Sequence, residues 1–247
     1  MLSFNNAAIS NIYQLGLKNQ QLIHESLNLG LIREACRLRQ IDRLLVRMLH
    51  KARKFDFIGA IAEGRTLLVG EGNLSFALAL AKNSRVSANR LVASVYEKRD
   101  ELTDEAVSNM GHLKALGSTV LLGVDAMALR DSLGSWLFDT IVFQFPHTGS
   151  REPVQGHNPN FILVRDFLKS AAFQLRVGGK VLITAVDSPH YQGAFQFDEA
   201  AKIAGFSPPE SYPFDPDAFS GYEHTMTHQS GSALDEHHRF RTWVFRK

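Results

Sequence analysis

Two glycines that flank a glutamate stand where an apolar run ends and a helical run begins. The apolar run is Thr66–Val69, residues 76–81 have the composition of a helix, and the turn between them holds Gly70, Glu71 and Gly72. Glycine lets the backbone turn tightly and approach a ligand, and a helix start offers unpaired amide N–H groups. The order strand, glycine turn, helix therefore predicts a cradle for a nucleotide-like cofactor.

The spacing of this turn discriminates between cofactors. A dinucleotide fingerprint needs a third glycine, and Ser75 stands at that position. A phosphate-binding loop needs a lysine after its last glycine, and no such run exists in the sequence. The spacing favours S-adenosylmethionine over a dinucleotide, and a purely structural turn stays open. Asn73 and Ser75 complete the set of candidate cofactor contacts at the turn.

Strand and helix signals alternate after Arg65, which predicts an α/β fold built on a parallel sheet. The predicted strands are Thr66–Val69, Leu91–Tyr96, Thr119–Gly123, Thr140–Phe145 and Lys180–Ala185. The predicted helices are Ser75–Lys82, Asp100–Leu116 and Asn160–Leu175. The strands are apolar throughout, as expected where helices cover both faces of a sheet. The tail 239–245 alternates and predicts an edge strand or a late antiparallel strand. Gly178-Gly179 predicts a turn before a strand, and the proline-rich residues 207–220 predict a loop.

Carboxylates follow the second and third predicted strands. Ligands of open α/β sheets gather at the carboxyl ends of the strands, so both positions are candidate cofactor contacts. Glu97 is suited to accept hydrogen bonds from both hydroxyls of a ribose, the alternative being a surface glutamate. Asp125 is suited to accept from an adenine amino group, to cap a helix, or to do both.

The fourth predicted strand ends in four residues that suit a group acceptor: Gln144, Phe145, Pro146 and His147. Proline favours extended backbone in the residue before it, here Phe145, whose ring is suited to stack on an extruded base. His147 is a candidate for orienting or deprotonating a substrate nitrogen. A structural histidine bonded to a loop carbonyl is the alternative.

Charge is distributed unevenly along the 247 residues. Residues 1–62 lack strand patterning and are predicted to form a basic helical extension, and residues 63–247 the α/β domain. Within residues 31–54, eight Lys or Arg stand against two acidic residues, so this segment carries +6 while the whole chain carries +2. A basic segment on a near-neutral or acidic body suggests a polyanionic partner such as RNA. The alternative is an amphipathic helix that docks on the α/β domain and exposes its basic face to solvent.

Several classes of protein are excluded or disfavoured by composition. No apolar run approaches the length of a membrane span, and the first residues lack a secretory pattern. Cys36 is the single cysteine, which rules out an intrachain disulfide and fits a reducing cytoplasm. The spacing of His224 and His228 matches no zinc pattern, so no metal site is expected. The oligomeric state stays open.

Four blocks in this order carry a family resemblance. They are T-L-L-V-G-E-G-N-L-S-F-A from Thr66, G-V-D-A-M-A-L from Gly123, F-D-T-I-V-F-Q-F-P-H-T-G from Phe138 and G-Y-E-H from Gly221. They resemble the Rossmann-like family of the large-subunit ribosomal RNA (uridine-N3) methyltransferases over about residues 65–245. Asn160, at the start of the following predicted helix, resembles an asparagine of that family.

The resemblance implies a class I S-adenosylmethionine-dependent methyltransferase, α/β and doubly wound, with a mostly parallel seven-stranded sheet. It places the cofactor among Gly70, Glu71, Gly72, Glu97 and Asp125. It also implies that Phe145, Pro146 and His147 face the acceptor. The uridine N3 would lose its proton to His147, directly or through water, while the amide of Gln144 orients the ring.

Two departures from the family pattern keep other functions open. Gln144 replaces an asparagine and moves the amide outward by one methylene, and Thr225-Met226 stand where the family tends to carry arginine. An enzyme that acts on a small metabolite from S-adenosylmethionine is therefore one alternative. A non-catalytic RNA-binding module is another, although the intact glycines, Asp125 and His147 argue against it.

Overall fold

The computed structural model describes residues 6–52, 55–150, 152–224, 237 and 239–247. The helices are α1 (Asn6–Asn28), α2 (Ile32–Ala52), α3 (Phe57–Ala62), α4 (Ser75–Ala81), α5 (Asp104–Ala115), α6 (Leu129–Leu133), α7 (Pro159–Gln174), α8 (Pro189–Phe195) and α9 (Phe197–Ala204). The strands are β1 (Thr66–Val69), β2 (Leu91–Ser94), β3 (Thr119–Leu121), β4 (Phe138–Gln144), β5 (Leu175–Val186), β6 (Glu210–Phe214) and β7 (Phe240–Arg246). Outside the described residues lie Arg53, Lys54, Thr225, Met226 and His228, as do the side chains of Arg47 and Lys51.

The seven strands form one sheet in the order β3-β2-β1-β4-β5-β7-β6. Pairs from β3 to β5 are parallel, and β7 runs antiparallel to both β5 and β6. The strand order reverses between β1 and β4, where Val69 pairs with Phe143. This confirms the predicted doubly wound, mostly parallel α/β sheet, and it brings the ends of β1 and β4 side by side at the switch point.

Apolar side chains cover both faces of the sheet. Within β1, Leu67 and Val69 point into one core cluster together with Phe138 and Phe167, and Leu68 points into the other. Side chains of a strand alternate between faces, so a strand buried on both sides is apolar at most of its positions. The two cores therefore explain the continuous apolar runs.

The helical prediction for the N-terminal segment is confirmed where the structure describes it. Helices α1 and α2 pack against each other, and α2 also contacts β6. Their seam with the sheet holds charges: the Oδ2 of Asp187 lies 3.7 Å from guanidinium nitrogens of both Arg239 and Arg241. The hydroxyl of Tyr13 in α1 donates to the Oδ1 of Asp187 at 3.4 Å. Burial raises the pKa of Asp42 in α2 to about 6, which the nearby Arg239 opposes.

Two sequence predictions about turns were wrong. Strand β6 lies inside residues 207–220, where the prolines had predicted a loop. It pairs with β7 alone at the edge of the sheet, and an edge strand tolerates Pro213 because its outer side needs no ladder hydrogen bonds. Gly178-Gly179 lies within β5 instead of before it, next to a register shift between β4 and β5.

Candidate active site

The glycine turn after β1 is built closely against β4. Gly70 and Gly72 have φ of +65° and +53°, and Leu74 also adopts a left-handed conformation with φ of +64°. A Cβ on Gly70 would lie 2.6 Å from the Cε2 of Phe143. Only glycine satisfies both the backbone angle and this contact. The turn therefore packs directly against the Phe143 side chain of β4.

Glu71 lies beneath the turn and caps α4. Its Oε2 accepts from the backbone N–H of Ala77 at 2.7 Å, and the Oδ1 of Asn73 accepts from Ser75 N–H at 3.1 Å. The expectation of unpaired amides at this helix start was therefore wrong for these two groups. Burial raises the pKa of Glu71 to about 8, and the hydrogen bond from Ala77 opposes the rise. Glu71 supports the cradle from inside, and its burial favours the neutral form.

We expect Glu71→Gln to remove a pH dependence of stability. The carboxyl titrates near 4.5 when unfolded and near 8 when folded, so the folded state holds an extra proton between these values. The free energy of unfolding of the wild type should fall as pH rises through that window, by about 1.4 kcal/mol per unit. The substituted amide keeps an acceptor for Ala77 and does not titrate. Between pH 5 and pH 8, the free energy of unfolding measured with urea should rise for the variant relative to the wild type. The same pH dependence in both proteins would contradict the raised pKa of Glu71.

The side chains of Asn73 and Ser75 point to another part of the chain. The Nδ2 of Asn73 donates to the Glu223 carbonyl at 2.8 Å and to the Oε1 of Glu105 at 3.1 Å. The Oγ of Ser75 donates to the same carbonyl at 2.8 Å and accepts from the Glu223 N–H at 3.0 Å. Both residues were predicted as cofactor contacts, and the structure places their polar atoms on residues 221–224, the G-Y-E-H block.

The two predicted cofactor carboxylates follow neighbouring strands. The N–H of Gly123 donates to the Glu97 carbonyl at 3.0 Å, which ties the chain after β2 to the chain after β3. Asp125 accepts from the N–H of Met127 at 2.8 Å and so caps a short 3₁₀ turn, one of the roles foreseen for it. Since β1, β2 and β3 are adjacent, Gly70, Glu97 and Asp125 line three successive strand ends.

Gln144 ends β4 with an unsatisfied amide. The residue is 8% exposed, and its Oε1 and Nε2 are buried without a hydrogen-bond partner among the residues that the structure describes. Buried polar groups almost always have partners, and leaving one without costs about 1–3 kcal/mol. An amide in this condition at the carboxyl end of a central strand is a candidate binding group for a polar ligand.

Phe145 departs from the extended backbone expected before Pro146. Its φ is +48°, and its N–H donates to the Thr184 carbonyl at 2.8 Å. Its ring meets those of Phe240 and His224 edge to face, at centroid distances of 5.4 Å and 4.8 Å. Left-handed backbone at a bulky residue costs about 1–3 kcal/mol and persists only where the surroundings enforce it, often at functional sites. Stacking of this ring on a base stays a prediction.

The imidazole of His147 is fixed by the following loop. Its Nδ1 accepts from the N–H of Gly149 at 2.8 Å. A neutral imidazole that accepts at Nδ1 carries its proton on Nε2. The loop is anchored to α7, where the buried Oδ1 of Asn160 accepts from the N–H and hydroxyl of Thr148 at 3.0 Å and 3.2 Å. The arrangement holds His147 in a set orientation.

Elsewhere in the described ranges, the structure shows weaker candidates for a functional site. A cavity of about 430 Å³ lies at the amino ends of the strands, away from the glycine turn, and mixes Glu63 and Asp139 with Arg90 and Arg176. Over the same ranges, no group of three His, Cys, Asp or Glu side chains is placed to hold a metal ion. No helix there is long and apolar enough to cross a membrane.

Sequence reasoning missed two features of the site. The buried seam of Asp42, Asp187, Arg239 and Arg241 joins residues far apart in sequence, so no local pattern signals it. The attachment of Glu223 to the glycine turn spans nearly 150 residues. The G-Y-E-H block was the one signal that this segment belongs to the site.

Relatives of this chain include curated proteins of different lengths. An uncharacterized protein of Arabidopsis thaliana is 38% identical over 133 residues, which are 49% of this chain and 62% of that protein. The human ferredoxin-fold anticodon-binding domain-containing protein 1 is 33% identical over 179 residues, 67% of this chain and 28% of that protein. The chain therefore spans less than two thirds of either relative.

Solved structures and a family model also match this chain. A methyltransferase from Pyrococcus furiosus aligns with a TM-score of 0.48 and 17% sequence identity, over 83% of this chain and 83% of that one. At the level of sequence, residues 67–226 match the family model described as BMT5-like, rRNA (uridine-N3-)-methyltransferase. The match takes in the glycine turn, the Asp125 block, the Gln144–His147 block and residues 221–224. The chain therefore belongs to the BMT5-like rRNA (uridine-N3-)-methyltransferase family.

Proposed function

We propose that this protein is an S-adenosylmethionine-dependent methyltransferase that acts on N3 of a uridine in ribosomal RNA. The observation that carries the proposal is the buried amide of Gln144, which has no hydrogen-bond partner in the described part of the chain. It lies at the switch point of the sheet, beside the glycine turn and next to the constrained Phe145 and His147. Family membership supports the reaction, and the geometry supplies a polar group that awaits an acceptor.

The residues at the strand ends fit the cofactor. A Cβ on Gly70 would fill the space in which the turn approaches β4, and Glu97 and Asp125 stand at the two neighbouring strand ends. Glu97 would accept from the ribose hydroxyls and Asp125 from the adenine amino group. S-adenosylmethionine, when bound, supplies a methyl group already activated by its sulfonium. Glu71 would act indirectly, by holding the turn against α4.

The acceptor side suits the edge of a uracil. N3 lies between two carbonyl groups, and the Nε2 of an amide such as that of Gln144 can donate to one of these carbonyl oxygens while it leaves N3 open to the methyl group. When N3 loses its proton, negative charge spreads onto the carbonyl oxygens, where N–H donors stabilise it. Gln144 Nε2 and His147 Nε2 are the two donors that we assign to this task. The hydrogen bond at Nδ1 of His147 favours this role over that of the base inferred from sequence.

The methyl transfer forms one bond and breaks another. A bond forms between the methyl carbon and N3, the bond from that carbon to sulfur breaks, and the sulfur leaves with the electron pair as a neutral thioether. The proton of N3 passes to solvent. Because N3 belongs to the Watson–Crick edge, the target uridine must be unpaired or extruded before the reaction. The protein's part is to align the reactants.

The exposed arginines of α2 are proposed to hold the RNA backbone. Arg33, Arg37 and Arg43 are all exposed to solvent. Changing these three to glutamine should weaken RNA binding and lower the slope of log K against log salt by about 2, since each lost phosphate contact removes about 0.7. Fluorescence anisotropy with an rRNA fragment at several salt concentrations measures this slope.

The matched control changes three exposed basic residues elsewhere, Lys114, Arg130 and Lys202, to glutamine. It lowers the net charge by the same amount and should leave the slope close to that of the wild type. Equal slopes for both triple variants would contradict the assignment of RNA binding to the basic segment. A cytoplasmic location and the division at residue 62 likewise stay proposals.

Methyl transfer to ribosomal RNA tests the proposed function as a whole. The reaction is followed with a labelled methyl donor, and the product nucleoside is identified after digestion. Formation of N3-methyluridine supports the proposal. Transfer to a small metabolite but not to RNA would favour the alternative enzyme, and cofactor binding without transfer would favour a non-catalytic module.

A further inference from the structure

Hydrogen bonds from the side chains of Asn73 and Ser75 hold residues 221–224 against the glycine turn. The single hydroxyl of Ser75 bonds to both backbone polar groups of Glu223, at 2.8 Å and 3.0 Å. Asn73 adds a second donor to the Glu223 carbonyl at 2.8 Å. Ser75 and Asn73 are 4% and 6% exposed, so these bonds are shielded from water. The backbone of Glu223 is therefore tied to the cofactor side of the cleft at both of its polar groups.

His224, the next residue of this segment, contacts Phe145 at the acceptor side of the cleft. The ring of His224 meets that of Phe145 edge to face at 4.8 Å, and Phe145 directly follows Gln144. The ring of Tyr222 packs on Phe76 at the start of α4, at 4.9 Å. The segment thus bridges the ends of β1 and β4. The left-handed backbone of Phe145 is of the kind that persists only when neighbours hold it, and His224 is one of those neighbours.

We propose that Ser75 and Asn73 are positioning residues: they fix residues 221–224 on the glycine turn and thereby hold His224 against Phe145 at the acceptor side. This inference rests on the proposed function for the meaning of the acceptor side, and the contacts themselves do not depend on it. It reassigns two residues that the sequence had placed among the cofactor ligands. Residues of the glycine turn thereby position the acceptor side of the cleft. Groups other than Ser75 and Asn73 hold the cofactor.

Ser75→Ala is the first test, with Ser118→Ala as its control. Ser118 is equally buried and donates one hydrogen bond to a backbone carbonyl at 2.8 Å, on the far side of the sheet. In the full-length protein, Ser75→Ala should raise KM for rRNA and lower kcat/KM by about tenfold or more, as expected for loss of two buried hydrogen bonds. The Kd for S-adenosylmethionine, measured by calorimetry, should change less than about threefold. Ser118→Ala should change neither quantity.

The imidazole signals of His224 in an NMR spectrum report on the bridge without any catalysis. In the wild type they should be shifted by the ring of Phe145, and Phe145→Leu identifies that shift. Ser75→Ala should reduce it. Asn73→Asp, which keeps the acceptor for Ser75 N–H and loses both donors, should act in the same direction and serves if Ser75→Ala does not fold.

Two results would overturn the inference. One is an unchanged His224 signal in both variants. The other is a loss of S-adenosylmethionine affinity as large as the loss in kcat/KM, because the two residues would then be cofactor ligands. If the wild type methylates no RNA, the proposed function fails, while the NMR and calorimetric results still decide the role of Ser75 and Asn73.

Discussion

Gln144→Leu should preserve or raise the stability of the protein while it lowers methyl transfer to RNA by about a hundredfold or more. The amide is buried without a partner in the described structure, so its removal takes away a cost of about 1–3 kcal/mol. Leucine has a similar size and fills the same space. If the amide orients the uracil and stabilises its charge, the loss resembles that of an oxyanion donor, about 10²–10³ in rate. Thermal unfolding and single-turnover transfer measure the two effects.

A second buried glutamine provides the matched control. Gln174 is 2% exposed, and its Nε2 donates to the Gly134 carbonyl at 3.3 Å. Gln174→Leu should therefore destabilise the protein by about 1 kcal/mol, because it leaves that carbonyl without its donor, and should spare the rate. Gln144→Asn, which restores the residue of the family pattern, should retain most of the activity. A Gln144→Leu variant that loses stability and keeps its rate would assign a structural role to the amide.

Gly70→Ala should abolish measurable binding of S-adenosylmethionine. The new Cβ would lie 2.6 Å from the ring of Phe143, and alanine is disfavoured at φ of +65°. Relief of this overlap must move the turn, the Phe143 ring or β4, and each of these shifts alters the packing beneath the cradle. The expected loss of stability is about 2–4 kcal/mol, from backbone strain and overpacking together. Calorimetric titration and urea unfolding give the two quantities.

Gly178→Ala separates backbone strain from the close contact. Gly178 has φ of +77°, and a Cβ added there would meet nothing within 4 Å, so alanine at this position introduces strain alone. It should cost about 1 kcal/mol and leave cofactor binding intact. Equal effects of the two substitutions on cofactor affinity would contradict the role of the Gly70 turn as a cradle.

The fold was predictable from sequence where burial dictates the pattern. Strand β1 lies between two cores, so its four residues are apolar or fully buried, and its bounds were predicted without error. Strand β6 was missed because Pro213 signals a loop, and the edge position that tolerates it is a property of the whole sheet. The extended backbone predicted for Phe145 was wrong because tertiary contacts with Thr184 and His224 outweigh the local preference set by proline.

The sequence predicted the positions of the site residues better than it predicted their roles. Motif spacing placed Gly70, Glu97 and Asp125 at strand ends, and the strand order brings those ends together. The inward orientation of Glu71 and the attachment of Ser75 to Glu223 depend on which groups are buried and on which distant segment arrives. Sequence identifies candidate polar atoms, and only the packed structure shows which of them already have partners.

The most direct test of the account is the identity of the methylated nucleoside. The purified protein is incubated with rRNA that lacks the modification and with S-adenosylmethionine carrying a deuterated methyl group, and the RNA is digested to nucleosides for mass spectrometry. The account predicts deuterated N3-methyluridine with the wild type and about a hundredfold less with Gln144→Leu. Deuterium in a different nucleoside, or none in RNA under conditions in which the cofactor binds, would contradict it.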